Sequence, residues 1–178
     1  MKNIVVYYSR KGSNRFLASR ISQSLGCELL EIRPRINTFF LFLFNFNPGI
    51  RRMKKDFSQY DRVIMCGPIW MGRFIPPLRG FVRRYKNQIK DLIFVTCCGS
   101  TYEKSEEKFG HGLVFKQVKS SLDGKCSLCQ AFPVGMVLPP EKREDPNAFM
   151  ENHLNNENFK GDILDIFNSF IEKLKVSE

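Results

Sequence analysis

The five residues Ile4-Val5-Val6-Tyr7-Tyr8 are continuously apolar or aromatic, and the loop Ser9-Arg10-Lys11-Gly12-Ser13-Asn14 separates them from a helical pattern. A run this short cannot make a helix, and one this uniformly apolar reads as a strand covered on both faces. Leu17, Ala18, Ile21 and Leu25 then share one helical face, with Gly26 placed to end the helix. A strand that turns at once into a helix points several backbone N–H groups at one spot, which predicts an anion, above all a phosphate. Gly12 permits the tight turn, Ser9, Ser13 and Asn14 offer side-chain donors, and Arg10 and Lys11 supply charge. An ordinary turn with nothing bound has the same chemistry, so this loop alone leaves both readings open.

What the loop lacks narrows the ligand. It carries neither G-x-G-x-x-G nor G-x-x-x-x-G-K, which argues against a dinucleotide pyrophosphate and a nucleoside triphosphate. It has no cysteine to act as a phosphatase nucleophile, and no acidic cluster ends the first strand. A phosphomonoester held by backbone and hydroxyls, with no chemistry done on it, fits best.

Strand and helix patterns alternate along the chain. Strands are predicted over 2–8, 27–33, 62–66, 91–97 and 126–138, and helices over 14–25, 77–86, about 112–122 and 162–175. This alternation predicts one α/β domain over residues 1–178, a doubly wound parallel sheet with helices on both faces in three layers. Ligands of such sheets lie beyond the carboxyl ends of the strands, where three loops fall: Ser9 to Asn14, Gly67 to Pro77 and Thr96 to Tyr102. The second loop carries the only tryptophan, Trp70, between Gly67 and Gly72, with Pro77 placed to begin a helix. An aromatic presented from a stiff loop suits stacking on a planar ring, although packing into the core is the competing role. The small residues of the third loop could hydrogen-bond a ring edge through their backbone.

These three loops resemble the flavodoxin family. The resemblance rests on Tyr8-Ser9-Arg10-Lys11-Gly12-Ser13-Asn14, on Gly67-Pro68-Ile69-Trp70-Met71-Gly72 with Pro76-Pro77, and on Thr96-Cys97-Cys98-Gly99-Ser100, in order over nearly the whole chain. It implies a five-stranded flavodoxin-like fold with strand order 2-1-3-4-5 and bound FMN. By position, Ser9 to Asn14 would grip the FMN phosphate, Pro68 to Gly72 would flank the isoalloxazine with Trp70 stacked on it, and Thr96 to Ser100 would line its pyrimidine edge. The family's phosphate loop usually has a threonine where Lys11 or Asn14 stands, so hydroxyls are fewer here and positive charge is greater.

The formal charge is +10, and it is uneven: residues 1–120 hold 22 Lys and Arg against 8 Asp and Glu, whereas residues 121–178 hold 6 against 10. The basic part contains all three loops, with Arg10, Lys11, Arg73 and Arg79 in or beside them. Such a field favours an anionic ligand, an acidic partner or an anionic membrane surface; no nucleic-acid motif is present. Cations near the ring would stabilise an anionic reduced flavin, so the expected potential is less reducing than that of the family's acidic electron carriers. That favours NAD(P)H:quinone-type oxidoreduction through FMN. A one-electron carrier to an acidic redox partner and a flavin-free interaction module are the alternatives.

No side chain stands out as an acid or base: His111, in Gly110-His111-Gly112, is expected in a loop that could touch substrate, and His153 on the surface. The absence of a secretory pattern and six cysteines placed mostly in apolar runs predict a reduced, cytoplasmic protein. Cys126 and Cys129 form a C-x-x-C, but residues three apart in a strand face opposite ways, so no redox or metal role is expected of them. Finally, an insertion at about 36–56 contains Phe39, Phe40, Phe42, Phe44 and Phe46, followed by Arg51, Arg52, Lys54 and Lys55. It is too short to span a bilayer and could be packed core, a homodimer surface, a lid over a quinone site or a peripheral membrane contact.

Overall fold

The computed structural model describes residues 1–36, 48–99, 110–143 and 145–176. In chain order the strands are β1 (Asn3–Tyr7), β2 (Glu28–Glu31), β3 (Arg62–Cys66), β4 (Ile69–Trp70), β5 (Arg73–Phe74), β6 (Asp91–Cys98) and β7 (Cys126–Pro133). The α-helices are α1 (Ser13–Leu25), α2 (Pro76–Tyr85), α3 (Gly110–Ser121), α4 (Pro146–Glu151) and α5 (Asp162–Val176). Five strands form a parallel sheet in the order β2-β1-β3-β6-β7. Counted along the sheet's own strands this is 2-1-3-4-5, as expected.

Alternating side chains of the central strands enter two separate cores, because successive residues of a strand point to opposite faces. Ile4, Val6, Val63, Met65, Leu92 and Phe94 pack against Leu78, Phe81 and Tyr85 of α2 and Val114 and Val118 of α3. Val5, Tyr7, Ile64, Cys66, Ile93 and Val95 pack against Leu17, Ala18 and Ile21 of α1 and Ile163, Phe167 and Phe170 of α5. All five residues of β1 are buried, which is why its sequence from Ile4 to Tyr7 is apolar without alternation. The edge strand β2 instead exposes Glu28 and Glu31, charges that discourage further strand pairing. Arg62, 5% exposed, bonds Asp91 at 3.3 Å and the Leu174 carbonyl at 3.0 Å, tying β3 to the start of β6 and the end of α5.

Most element bounds fall within two residues of the sequence reading, and three expectations are corrected. The last strand ends at Pro133, not at 138, and residues Val134–Val137 form a 3₁₀ turn. Helix α2 begins at Pro76, one residue before Pro77, where neither proline needs an N–H donor. His111 lies in α3 rather than in a loop, 7% exposed with its ring 5.3 Å from Phe115, and burial pushes its pKa down.

Around the segment expected as an insertion, an isolated antiparallel bridge pairs Pro34 with Ile50, and Arg51 N–H donates to the Arg33 carbonyl at 2.8 Å. The segment's phenylalanines, 39 to 46, lie outside the described residues. The returning chain is fixed on α2: Phe57 is fully buried against Phe81 and Tyr85, and the Tyr85 hydroxyl accepts the Met53 N–H at 2.8 Å. Among the described residues no helix is long and apolar enough to cross a membrane.

Candidate functional site

The site forms where β1, β3 and β6 end. Gly12 caps α1 at φ 104°, a backbone conformation that strains any residue with a Cβ. Its N–H is held by the Ser9 hydroxyl at 3.1 Å, and its carbonyl accepts the first helical bond, from Phe16 N–H at 2.8 Å. Among the described residues no side-chain hydrogen bond caps this helix, and its first turn holds no acidic residue. The N–H groups of Ser13, Asn14 and Arg15 therefore have no helical acceptor, and Arg10, Lys11 and Arg15 surround them with exposed positive charge.

Asn14 has a different task from the one its side-chain donor suggested. It is 4% exposed, its Oδ1 accepts the Cys97 N–H at 2.8 Å, and its Nδ2 donates to the Cys97 carbonyl at 3.3 Å. Pairing between β3 and β6 stops at Cys66 and Val95, so the Asn14 amide supplies the hydrogen bonds that β3 no longer can. The Ser13 hydroxyl accepts the Leu154 N–H at 3.1 Å, which anchors the segment between α4 and α5 to the same loop.

The second loop is a hairpin, β4 and β5, joined through Met71 (φ 48°) and Gly72 (φ 65°). Two successive positive φ angles are what a two-residue hairpin turn requires. Gln117 of α3 holds it by accepting the Phe74 N–H at 3.0 Å and donating to the Gly72 carbonyl at 3.4 Å. The hairpin presents Trp70 half-buried, edge-on to Tyr8 at 6.4 Å, with the Arg10 guanidinium 5.9 Å from its ring centre.

A cavity of about 360 Å³ lies between these parts. Of the expected residues, Ser9, Arg10, Lys11, Ser13, Asn14, Ile69, Trp70, Met71, Cys97, Cys98 and Gly99 line it. Gly12, Pro68, Gly72, Arg73 and Thr96 do not line it; Gly12 and Gly72 shape the turns, and Thr96 is fully buried. Ser100 lies outside the described residues. Burial pushes the Cys97 thiol up, so it meets the cavity as neutral S–H.

Four further residues complete the wall: Val134, Phe149, Asn152 and His153. His153, expected on the surface, is half-buried here. Phe149 packs over two glycines, and a Cβ added at Gly135 would lie 3.0 Å from its ring, one added at Gly99 3.4 Å from its Cβ. These residues enter from the crossover between β7 and α5, far along the chain, and their local pattern carries no sign of it.

A flavodoxin domain model matches residues 43–141, which includes the loops at 67 and 96. The chain belongs to the flavodoxin domain family. Among solved structures, this flavodoxin domain is similar to a flavoprotein from Lactobacillus acidophilus NCFM determined in complex with FMN (TM-score 0.61, 19% identity, 73% of this chain and 92% of that one). It is similar also to a flavodoxin from Streptococcus pneumoniae TIGR4 (TM-score 0.55, 13% identity, all of both chains). Flavodoxin 2 from Bacillus cereus gives a TM-score of 0.53 at 13% identity, again over all of both chains. At these identities the likeness speaks for the fold. A comparison with curated proteins returns no match.

Proposed function

We propose that this flavodoxin domain binds FMN in the cavity and uses it for oxidoreduction. The observation that carries the reading is the uncapped start of α1, with three N–H groups lacking helical acceptors, opening into the same cavity as Trp70. Helix starts normally satisfy these donors with a side chain or a ligand, and here Arg10, Lys11 and Arg15 stand in and beside the loop. A cavity of about 360 Å³ also falls within the range of small-molecule sites. The likeness to the FMN complex from Lactobacillus acidophilus supports the same ligand.

Each part of the wall then has a task. The α1 N–H groups and the Ser9 O–H would donate to the phosphate, with Arg10 and Lys11 balancing its charge. Trp70 and Phe149 offer aromatic surface to the ring system, and the chain around Cys97 to Gly99 offers backbone groups to its edge. The neutral Cys97 thiol adds no negative charge. When bound, the flavin would supply the electron transfer, which side chains alone cannot perform. The basic wall favours the reduced, more anionic cofactor, and so an acceptor such as a quinone with NAD(P)H as donor.

A second reading, a one-electron carrier that docks an acidic protein, draws on the positive surface beside the hairpin, where Arg79 and Arg83 line a groove of their own. NAD(P)H oxidation by the FMN-loaded protein with and without a water-soluble quinone tests the first reading. Turnover that requires quinone is the expected result; no turnover, together with rapid reduction by an acidic ferredoxin-type protein, would replace it with the second.

A further inference from the structure

The sequence pattern placed Cys126 and Cys129 on opposite faces of β7, and the structure overturns this. Leu92 pairs with Cys126 but the next residue, Ile93, pairs with Leu128, so Ser127 is an extra, bulged residue. A bulge inserts one residue without consuming a partner and returns the following side chains to the other face. Cys126 and Cys129 therefore both turn toward the core that contains Leu92 and Phe94, while Leu128 faces the opposite core. Their sulfurs lie 3.5 Å apart, both as free thiols, and either can donate to the other.

We infer that Cys126 and Cys129 form a reversible thiol–disulfide site, oxidised by low-molecular-weight disulfides of the glutathione class. The bulge is the device that creates the pair, since a regular strand would hold these two sulfurs on opposite faces of the sheet. Cys129 is half-buried and Cys126 is 7% exposed, so the reagent meets Cys129 first. Cys129 loses its proton and its thiolate attacks one reagent sulfur, forming a mixed disulfide and expelling one thiolate, which takes up that proton. Cys126 then loses its proton and attacks the Cys129 sulfur, breaking the mixed disulfide and releasing the second thiol. Two protein thiols are oxidised to one disulfide, and one reagent disulfide is reduced to two thiols.

The surroundings help the pair lose its first proton as a unit. The hydrogen bond from Cys129 holds the Cys126 thiol below its ordinary value, with Lys119 of α3 acting in the same sense against burial and Asp91, while that hydrogen bond and burial push the Cys129 thiol up. The first thiolate therefore rests on Cys126, and passage of the shared proton across the 3.5 Å contact places it on the more exposed Cys129 for the attack. Three other cysteines differ: burial pushes Cys66 and Cys97 up, and Cys27 is raised to about 11. The pair also sits at the start of β7, whereas the cavity lies past its end, roughly 20 Å away at about 3.3 Å per residue. Oxidation of the pair is thus independent of the bound flavin and of the reading given above.

The test equilibrates the whole chain in glutathione buffers of increasing disulfide content, blocks free thiols by alkylation and digests with trypsin. Cleavage after Lys125 and Lys142 yields one peptide, 126–142, that contains both residues and no other cysteine. The expected result is a joint loss of alkylation at Cys126 and Cys129 of about tenfold or more, with the peptide two hydrogens lighter, before the other four cysteines react. Cys126→Ser is expected to trap glutathione on Cys129. Full alkylation of both residues at every buffer ratio in the wild-type protein would overturn the inference. So would glutathione retained on wild-type Cys129 while Cys126 stays a thiol.

Discussion

Replacing Asn14 with alanine removes two hydrogen bonds that join the first ligand loop to the end of β6. The Cys97 N–H, bonded at 2.8 Å, and the Cys97 carbonyl, bonded at 3.3 Å, would both lose their partner in a place where β3 has already ended. Asn14 is only 4% exposed, so water cannot easily replace its amide. A buried N–H left unsatisfied costs about 1–3 kcal/mol, and the longer bond to the carbonyl adds less, for a total of about 2–4 kcal/mol. At this chain length that corresponds to a Tm lower by roughly 5–15 °C. Asn14→Asp perturbs both roles of the loop. Its carboxylate still accepts the Cys97 N–H but sets a second oxygen against the Cys97 carbonyl in a place only 4% exposed, so it should lose at least as much stability as the alanine variant. The same negative charge would stand beside the phosphate, so FMN affinity should fall on the order of tenfold or more. Thermal melts of the apo proteins and FMN titrations measure both quantities. An Asn14→Ala protein melting within about 1 °C of wild type would refute the assignment of Asn14 as the missing ladder partner.

Arg62→Met removes a buried cation that bonds Asp91 and the Leu174 carbonyl, and should lower stability by about 2–3 kcal/mol in urea unfolding, with the m-value unchanged; an unchanged midpoint would contradict it. Hydrogen bonds from Lys55 and then Tyr60 hold the Glu28 carboxyl below its ordinary 4.5. The unfolded chain thus takes up this proton first, and the Glu28 contribution is present above pH 4.5 and lost as pH falls through and below it. The Tm of wild type should fall more steeply there than that of Glu28→Gln, and parallel curves would refute this. Arg10→Gln should make the midpoint potential of bound FMN more negative, on the order of tens of millivolts; an unchanged or higher potential in spectroelectrochemical titration would remove Arg10 from the tuning of the flavin.

The fold was legible where burial is one-sided in its demands. β1 and β3 are covered on both faces, and past Asn3 and Arg62 at their starts apolar side chains meet that demand, so their runs announce themselves. Helix α5 shows its stripe through Ile163, Phe167, Phe170 and Leu174 for the same reason. The hairpin of β4 and β5 was not legible, because two-residue strands are too short to show a period and Met71 gives no sign that it takes a positive φ. The Cys126–Cys129 pair was misread because a single bulged residue inverts the alternation, and Ser127 has no feature that marks it. The site was legible in its local loops and not in Phe149 and His153, whose position depends on how the crossover after β7 returns over the sheet.

The cavity beneath Trp70 is the proposed FMN site, and Trp70 is the only tryptophan in the chain. Its fluorescence, followed while FMN is titrated into the apo protein, reports on that cavity alone. Saturable quenching at one FMN per chain is expected, weakened by Lys11→Glu, with the yellow flavin retained after gel filtration. A protein whose tryptophan emission does not change with FMN, and which leaves the column colourless, would contradict it.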